Sequence, residues 1–264
     1  MTRFADSLFD LSGKTAVITG ASRGIGEAIA RRMAQHGANV VVSSRSLEAC
    51  EAIAQSINDH EDRAAAVAAS CNISHKEDLQ KLVDRANAAF GAIDVLVSNA
   101  AVNPYFGPSA GISDEQFDKI MTCNVKASHW LSQMVLPQMK ERKDGAIIII
   151  SSIAAFAGNA DLGVYGISKA ADLQLARNLA VEYGPHNIRA NCICPGVVKT
   201  YMAEALWKDP KVEAMVTKKL PLRRFGEPDD IAGAAVFLAC PAGAWTTGQG
   251  IVIDGGTLIG ASGL

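Results

Sequence analysis

Lys14-Thr15-Ala16-Val17-Ile18-Thr19-Gly20-Ala21-Ser22-Arg23-Gly24-Ile25-Gly26-Glu27 is the stretch that decides the fold of this chain. A β-branched run ends in a glycine-rich turn, and the turn feeds straight into a segment of helical periodicity. Glycines there permit a tight turn and close backbone approach, while the helix start offers free N–H groups and the positive end of its dipole. Three glycines alone are a weak signal, because a strand can turn into a helix without binding anything. A second strand at 39–44 completes a βαβ unit, and in that setting the turn is placed to hold a pyrophosphate.

The alternation continues along nearly the whole chain. Strands are expected at 14–19, 39–44, 64–69, 93–98, 146–151, 189–193 and 250–253, the alanine-rich third being the weakest. Helices are expected at 24–36, 47–58, 76–90, 113–140, 165–183 and 229–239. Gly37 follows the first helix where a left-handed residue is wanted, Ser74 precedes the third as an N-cap, Ser113 opens the long helix and Pro228 starts the last. This pattern predicts an α/β fold: a single-domain, Rossmann-type, doubly wound parallel sheet of about seven strands with helices on both faces. With 264 residues, 49% of them apolar, the chain can bury one sizeable core, so 1–264 reads as one domain. Residues 197–220 break the rhythm. They carry no strand signal, and Tyr201, Met202, Leu206, Trp207 and Met215 recur at irregular or loosely helical spacing. Packed surface helices would fit this stretch; its place after a strand's carboxyl end favours a substrate lid.

Charge and cysteine usage narrow the function. The formal charge is −2 and no long basic run occurs, so neither nucleic acid nor an anionic membrane is an expected partner, and small molecules are. Asp6 interrupts what would have to be the apolar stretch of a signal peptide, and no apolar run reaches the ~18 residues of a membrane span. A cytoplasmic protein is expected. The six cysteines lack the spacing of a disulfide framework, and Cys192-Ile193-Cys194, the only close pair, is joined by no histidine or further pair. Buried thiols explain them better than a metal, and none is expected.

The end of the second strand bears on the cofactor. A site for NAD usually places a carboxylate there for the ribose 2′-hydroxyl, whereas this chain reads Val42-Ser43-Ser44-Arg45-Ser46. Ser44, Arg45 and Arg23 from the glycine turn could together hold a 2′-phosphate, although both arginines could also simply face solvent. NADP(H) is therefore favoured over NAD(H).

Tyr165 and Lys169 are candidates for the chemistry, although taken alone they read as well as a half-buried tyrosine beside a solvated lysine. Four positions apart on a helix, they meet across one turn. A phenol with a pKa of about 10 is a poor proton donor or acceptor at neutral pH, but a neighbouring ammonium favours the phenolate. Of the four tyrosines, only Tyr165 has a lysine at that offset. Upstream, Ile147-Ile148-Ile149-Ile150 ends in Ser151-Ser152, hydroxyls at a strand's carboxyl edge.

These residues, in this order, resemble the short-chain dehydrogenase/reductase family over essentially the full length. The match consists of Thr19-Gly20-x-x-x-Gly24-x-Gly26, Asn99-Ala100-Ala101, Asn124, Ser152 thirteen before Tyr165, Tyr165-x-x-x-Lys169, and Pro195-Gly196 followed by Thr200. The resemblance implies an oxidoreductase in which Tyr165 exchanges a proton with the carbonyl or hydroxyl oxygen and Ser152 hydrogen-bonds the same oxygen. It implies that Lys169 lowers the tyrosine's pKa and holds the nicotinamide ribose, with Asn124 keeping a water-linked proton path to Lys169. For the cofactor it implies Gly20, Ser22, Arg23, Gly24, Ile25 and Gly26 at the phosphates and Asn72 and Ile73 near adenine. Asn99, Ala100 and Ala101 would line the adenosine side, Pro195, Gly196 and Val198 the nicotinamide, and Thr200 its carboxamide. Ala101 and Asn72 depart from the family's usual Gly and Asp. The segments 98–107, 151–156 and 222–228 resemble the branch of NADP-dependent carbonyl and retinal reductases, some of which end in a peroxisomal tripeptide; Ser262-Gly263-Leu264 lacks its basic residue. A homotetramer is implied by the same analogy.

For the substrate, Phe156, Leu162, Met202 and Trp207, with Tyr105, Phe106, Val164 and Leu206, are candidate pocket residues, though each could equally be core. Such a lining suits a hydrophobic ketone, aldehyde or secondary alcohol. Lys199, Lys208, Arg223 and Arg224 leave open a 3-oxoacyl-[acyl carrier protein] reductase. A non-catalytic nucleotide sensor of the same fold would be expected to lack the Tyr-Lys-Ser set.

Overall fold

The central strands are apolar on both faces. Ala16 and Ile18 join one buried cluster and Val17 the other; Val40 and Val42 part from Val41, Val95 and Val97 from Leu96, and Ile148 and Ile150 from Ile147 and Ile149 in the same way. A strand of this kind must be covered from both sides, and the computed structural model shows how. It describes residues 8–260; Asp6, read against a signal peptide, and the Ser262-Gly263-Leu264 terminus lie outside them. β1 (Thr15–Thr19), β2 (Asn39–Ser44), β3 (Ala66–Ser70), β4 (Val95–Ser98), β5 (Gly145–Ile150), β6 (Ile188–Pro195) and β7 (Gly250–Ile253) form one sheet. Its order is β3-β2-β1-β4-β5-β6-β7, every pair parallel.

Helices α1 (Gly24–Gln35), α2 (Leu47–Glu61) and α9 (Pro228–Ala239) bury their apolar sides in one cluster. On that face Arg32 of α1 holds Asp229 of α9 at 2.6 Å. The opposite face is covered by α3 (Lys76–Phe90), α5 (Ala127–Arg142) and α6 (Gly163–Tyr183). The chain winds outward from β1 to β3, then returns to place β4 on the other side of β1. Where the winding reverses, the connections leave in opposite directions and a crevice opens at the strands' carboxyl ends.

Three local expectations need correcting. The third strand starts two residues later than the alanine run suggests, because Asn58 brackets Ala66, accepting from its N–H at 2.7 Å and donating to its carbonyl at 3.0 Å. Ser74 does not cap α3: His75 occupies that position, and the Ser74 hydroxyl donates to Asn72 Oδ1 at 2.8 Å. The helix expected at 113–140 is interrupted. It comprises α4 (Asp114–Ile120), a wide π turn at Met121–Lys126, and α5. Ser113 does cap α4, in a reciprocal box with Gln116.

The 197–220 segment folds as a short turn at Tyr201–Ala203, α7 (Glu204–Trp207) and α8 (Pro210–Thr217). α10 (Thr257–Gly260) is the last described element. Among the described residues, no helix is long and apolar enough to cross a membrane, and no group of three or more His, Cys, Asp or Glu residues could hold a metal.

Gly26 fixes how closely α1 approaches the sheet. A Cβ there would sit 2.4 Å from Gly20 O and 2.6 Å from Asn99 Nδ2. Gly26→Ala should therefore lower the unfolding free energy by about 1–3 kcal/mol, the usual cost of overpacking, as measured by urea denaturation.

Candidate active site

Six strand ends bring the predicted residues to one edge of the sheet. Gly20, Ser22, Arg23, Gly24, Ile25 and Gly26 follow β1; Ser44 and Arg45 end β2; Asn72 and Ile73 follow β3; Asn99, Ala100 and Ala101 follow β4; Ser152 follows β5; Pro195, Gly196, Val198 and Thr200 end or follow β6. Tyr165 and Lys169 reach the same edge from α6.

The crevice between β1 and β4 is held by a polar clasp. Asn99 Nδ2 donates to Thr19 O at 2.8 Å and to Gly20 O at 3.1 Å, and Thr19 Oγ1 accepts from the N–H groups of Asn99 and Ala100, both at 3.1 Å. Gly20 and Gly24 have φ of +65° and +60°, the left-handed region that glycine enters without strain. Arg23, the N-cap of α1, makes no side-chain cap. The first N–H groups of α1 are left to an anion, as a pyrophosphate cradle requires.

Beside this cradle, Arg45 offers an exposed guanidinium that has no hydrogen-bond or ion-pair partner among the described residues, while the Ser44 hydroxyl donates to Ser46 O and accepts from Ser46 N, both at 3.2 Å. Arg23 Cζ stacks 4.2 Å above the Tyr201 ring, joining the glycine turn to the 197–220 segment. No carboxylate stands at the end of β2. The residues present thus fit a nicotinamide dinucleotide bearing a ribose phosphate.

The π turn explains Asn124. Widening the helix by one residue turns its side chain inward, where Oδ1 accepts from Val102 N at 2.9 Å and Nδ2 donates to Val102 O at 3.1 Å and to Ser168 Oγ at 3.0 Å. Ser168 in turn donates to Tyr165 O at 2.7 Å. Asn124 therefore braces the loop after β4 against the turn of α6 that carries Tyr165, rather than bonding to Lys169 itself. Ser168 was not predicted; its only sequence clue is a polar residue just before Lys169.

Ser152 caps the short turn Ile153–Ala155, accepting from Ala154 N at 3.1 Å. Its own O–H remains free to donate. That turn lies against the start of α6: a Cβ on Gly166 would come within 3.0 Å of Ala154 O. The Tyr165 hydroxyl has no hydrogen-bond partner among the described residues, while Ser151 points away and donates to Lys169 O at 2.8 Å.

Lys169 is almost completely buried. Nζ donates to Ile150 O at 2.9 Å and to Asp172 Oδ2 at 3.0 Å, and lies 5.7 Å from the centroid of the Tyr165 ring. Burial by itself pulls the Lys169 ammonium down, but the Asp172 carboxylate and the Tyr165 phenol more than offset it, and its pKa is raised. Asp172 was also missed, although its place three residues after Lys169 on one helix face was visible. Cys192 and Cys194 lie nearby with thiols pushed up by burial, Cys194 to about 11.

The proposed substrate residues are less concentrated. Leu162 and Tyr165 line a small crevice with Asn103, Tyr105 and Val164. Met202 and Phe106 are strongly exposed, and the Phe156 ring leans toward Gly250 at the start of β7. Trp207 is tethered through Nε1 to Thr200 O at 3.0 Å. A cleft of about 280 Å³ behind α8 is lined by Lys199, Glu213, Arg224 and Phe225 and contains none of Ser152, Tyr165 or Lys169.

Asn124→Ala would leave the Val102 backbone groups and Ser168 without their partners. It should lower stability by roughly 1–3 kcal/mol and loosen the 99–105 loop, measurable as faster amide exchange there.

A family model described as enoyl-(acyl carrier protein) reductase matches residues 20–257. The chain is 42% identical to human dehydrogenase/reductase SDR family member 4, across 94% of this chain and 88% of that protein. It is 39% identical to human dehydrogenase/reductase SDR family member 2, mitochondrial, across 93% and 86%. Among solved structures, a gluconate 5-dehydrogenase from Burkholderia cenocepacia in complex with NADP and tartrate superposes with a TM-score of 0.90 at 30% identity, covering 97% of this chain and 99% of that one. A short-chain type dehydrogenase/reductase from Mycobacterium marinum gives 0.85 at 33% identity, covering 95% and 97%.

Proposed function

Because the chain belongs to the short-chain dehydrogenase/reductase family, oxidoreductases acting on CH–OH and C=O groups with NAD(P), we propose that it is an NADP(H)-dependent carbonyl reductase. Its substrates are hydrophobic ketones and aldehydes, or secondary alcohols in reverse. The observation that carries this reading is the Tyr165 hydroxyl, without a partner among the described residues, one helical turn from the buried Lys169 ammonium and beside the turn that Ser152 caps.

The bound nicotinamide supplies or accepts the hydride. Ser152 donates its free O–H to the substrate oxygen, stabilising charge that develops there as C=O becomes C–O⁻. Tyr165 gives that oxygen its proton, or removes it in oxidation, and Lys169 supplies the positive charge that favours the phenolate after the proton has left. Asn124, through Ser168, keeps the Tyr165 turn in register with the loop after β4. Arg45, with Ser44 and Arg23, holds the ribose phosphate.

The preference for NADP(H) is supported by the missing carboxylate at the end of β2 and the unpartnered Arg45 guanidinium. Hydrophobic substrates are supported by Leu162, Tyr105 and Val164 around Tyr165. An acyl-carrier substrate is disfavoured because three of the four cations that would greet it are already engaged: Lys199 with Glu213 at 2.8 Å, Lys208 with Glu204 at 3.0 Å, and Arg224 with Asp230, leaving Arg223. The homotetramer belongs to the same reading and is supported by exposed apolar side chains at Val181, Trp245 and Ile259.

Tyr165→Phe should reduce NADPH-dependent carbonyl reduction by roughly 10²–10⁴-fold with NADPH affinity kept; unimpaired turnover would refute the acid/base role. Arg45→Ala should cut the ratio of NADPH to NADH affinity by about tenfold or more, since it removes a charge-assisted phosphate contact. Fluorescence titration with both nucleotides measures that ratio.

A further inference from the structure

Asp172 stands outside the machinery described above, yet no other carboxylate is seated so deeply beside it. It is on the same face of α6 as Lys169, with side-chain exposures of 0% for Asp172 and 3% for Lys169. Both residues are anchored through their backbones, Lys169 O by Ser151 Oγ at 2.8 Å and Asp172 O by Cys192 Sγ at 3.3 Å. Their side chains therefore meet at a set separation, Nζ to Oδ2 being 3.0 Å.

An ammonium has three N–H groups. Two of those on Lys169 are committed, to Ile150 O and to Asp172 Oδ2, which leaves one for everything on the site's side. Asp172 Oδ1 accepts nothing. Burying a carboxylate with half its acceptors empty is costly, and an apolar residue here would serve packing better, as Leu173 and Ala176 do on the same helix. Among the described residues, the carboxylate's one direct contact with a charged group is Lys169. The other ionisable groups facing the pair are Tyr165 and Arg177 of α6 and the thiols of Cys192 and Cys194 on β6, which burial keeps protonated at neutral pH.

We propose that Asp172 is a positioning residue that draws the Lys169 ammonium toward the sheet and offsets the charge it presents to Tyr165. The proposal rests on the reading of Tyr165 as the acid/base group. In the Tyr-Lys pair alone the ammonium favours the phenolate without opposition; here an anion one turn further along α6 opposes it. Asp172 thus tunes the pH range in which the tyrosine exchanges its proton, and limits how far Lys169 can reach into the site.

The test is the ionisation of Tyr165 in the folded protein, followed by phenolate ultraviolet absorbance against pH. Subtracting the same titration of Tyr165→Phe isolates it from the other three of the four tyrosines. Asp172→Asn keeps the shape and one acceptor but removes the negative charge, so the Tyr165 midpoint should fall by about one pH unit, the low end of what a neighbouring charge contributes. The pH midpoint of alcohol oxidation by the holoenzyme should fall with it. If the amide destabilises the fold, Asp172→Leu fills the site without a charge and carries the same expectation. An unmoved midpoint, accompanied only by a lower thermal unfolding temperature, would make the pair a structural ion pair. A rise would mean that the carboxylate serves to keep Lys169 protonated, and would overturn the proposal equally. The absorbance titration needs no substrate, so an absence of carbonyl reductase activity would count against the proposed function alone.

Discussion

The carboxamide of Asn99 closes the one gap that the sheet's winding forces open. Strands apolar on both faces require helices on both sides, and a parallel sheet satisfies that by winding outward in two directions from its centre. The price is a seam between β1 and β4, where no loop crosses. Asn99 and Thr19 stitch this seam from both sides, and Gly26 leaves the space for it, since any side chain there would strike the Gly20 carbonyl and the Asn99 amide together. The cofactor cradle is thus the same set of atoms that holds the two halves of the sheet in register. Stability and binding share one constraint.

Lys169 depends on that frame in a different way. An ammonium buried to 3% exposure has exchanged its hydration for acceptors that the protein must provide. The carbonyl of Ile150, at the end of β5, supplies one acceptor, and the Asp172 carboxyl supplies another. The strand end and the helix face therefore fix where positive charge can stand relative to Tyr165. Removing either would alter the tyrosine's environment without touching the tyrosine.

The architecture was readable because it is written in local patterns. Alternating β-branched runs and helical periods gave the number and order of elements, and the 19–26 turn gave the crevice. The candidate site is readable in part: Ser152, Tyr165 and Lys169 stand at a strand end and on one helix turn, as their spacing suggests. What escaped was geometry that no residue announces. Nothing in Met121-Thr122-Cys123-Asn124 signals that the helix widens there, because a π turn differs from an α turn by one residue and is held open by tertiary partners, here Val102 and Ser168. Asp172 was overlooked because a carboxylate in a helix ordinarily faces water. Only the packing of α6 against β6 shows that this one does not.

The substrate side was the least legible, and the structure gives the physical reason. Residues 197–220 bury little apolar surface: Tyr201 and Met202 are exposed, and the segment is fastened by polar ties, the Trp207 indole to Thr200, Lys199 to Glu213, and the Arg23 guanidinium over the Tyr201 ring. Ties of this kind are each worth little against solvent, so no strong hydrophobic periodicity is needed to specify them and none is present to be read. The Arg23 contact matters most among them. It joins the glycine turn to the 197–220 segment. The sequence places this side chain in the glycine turn, and only the fold brings it against Tyr201.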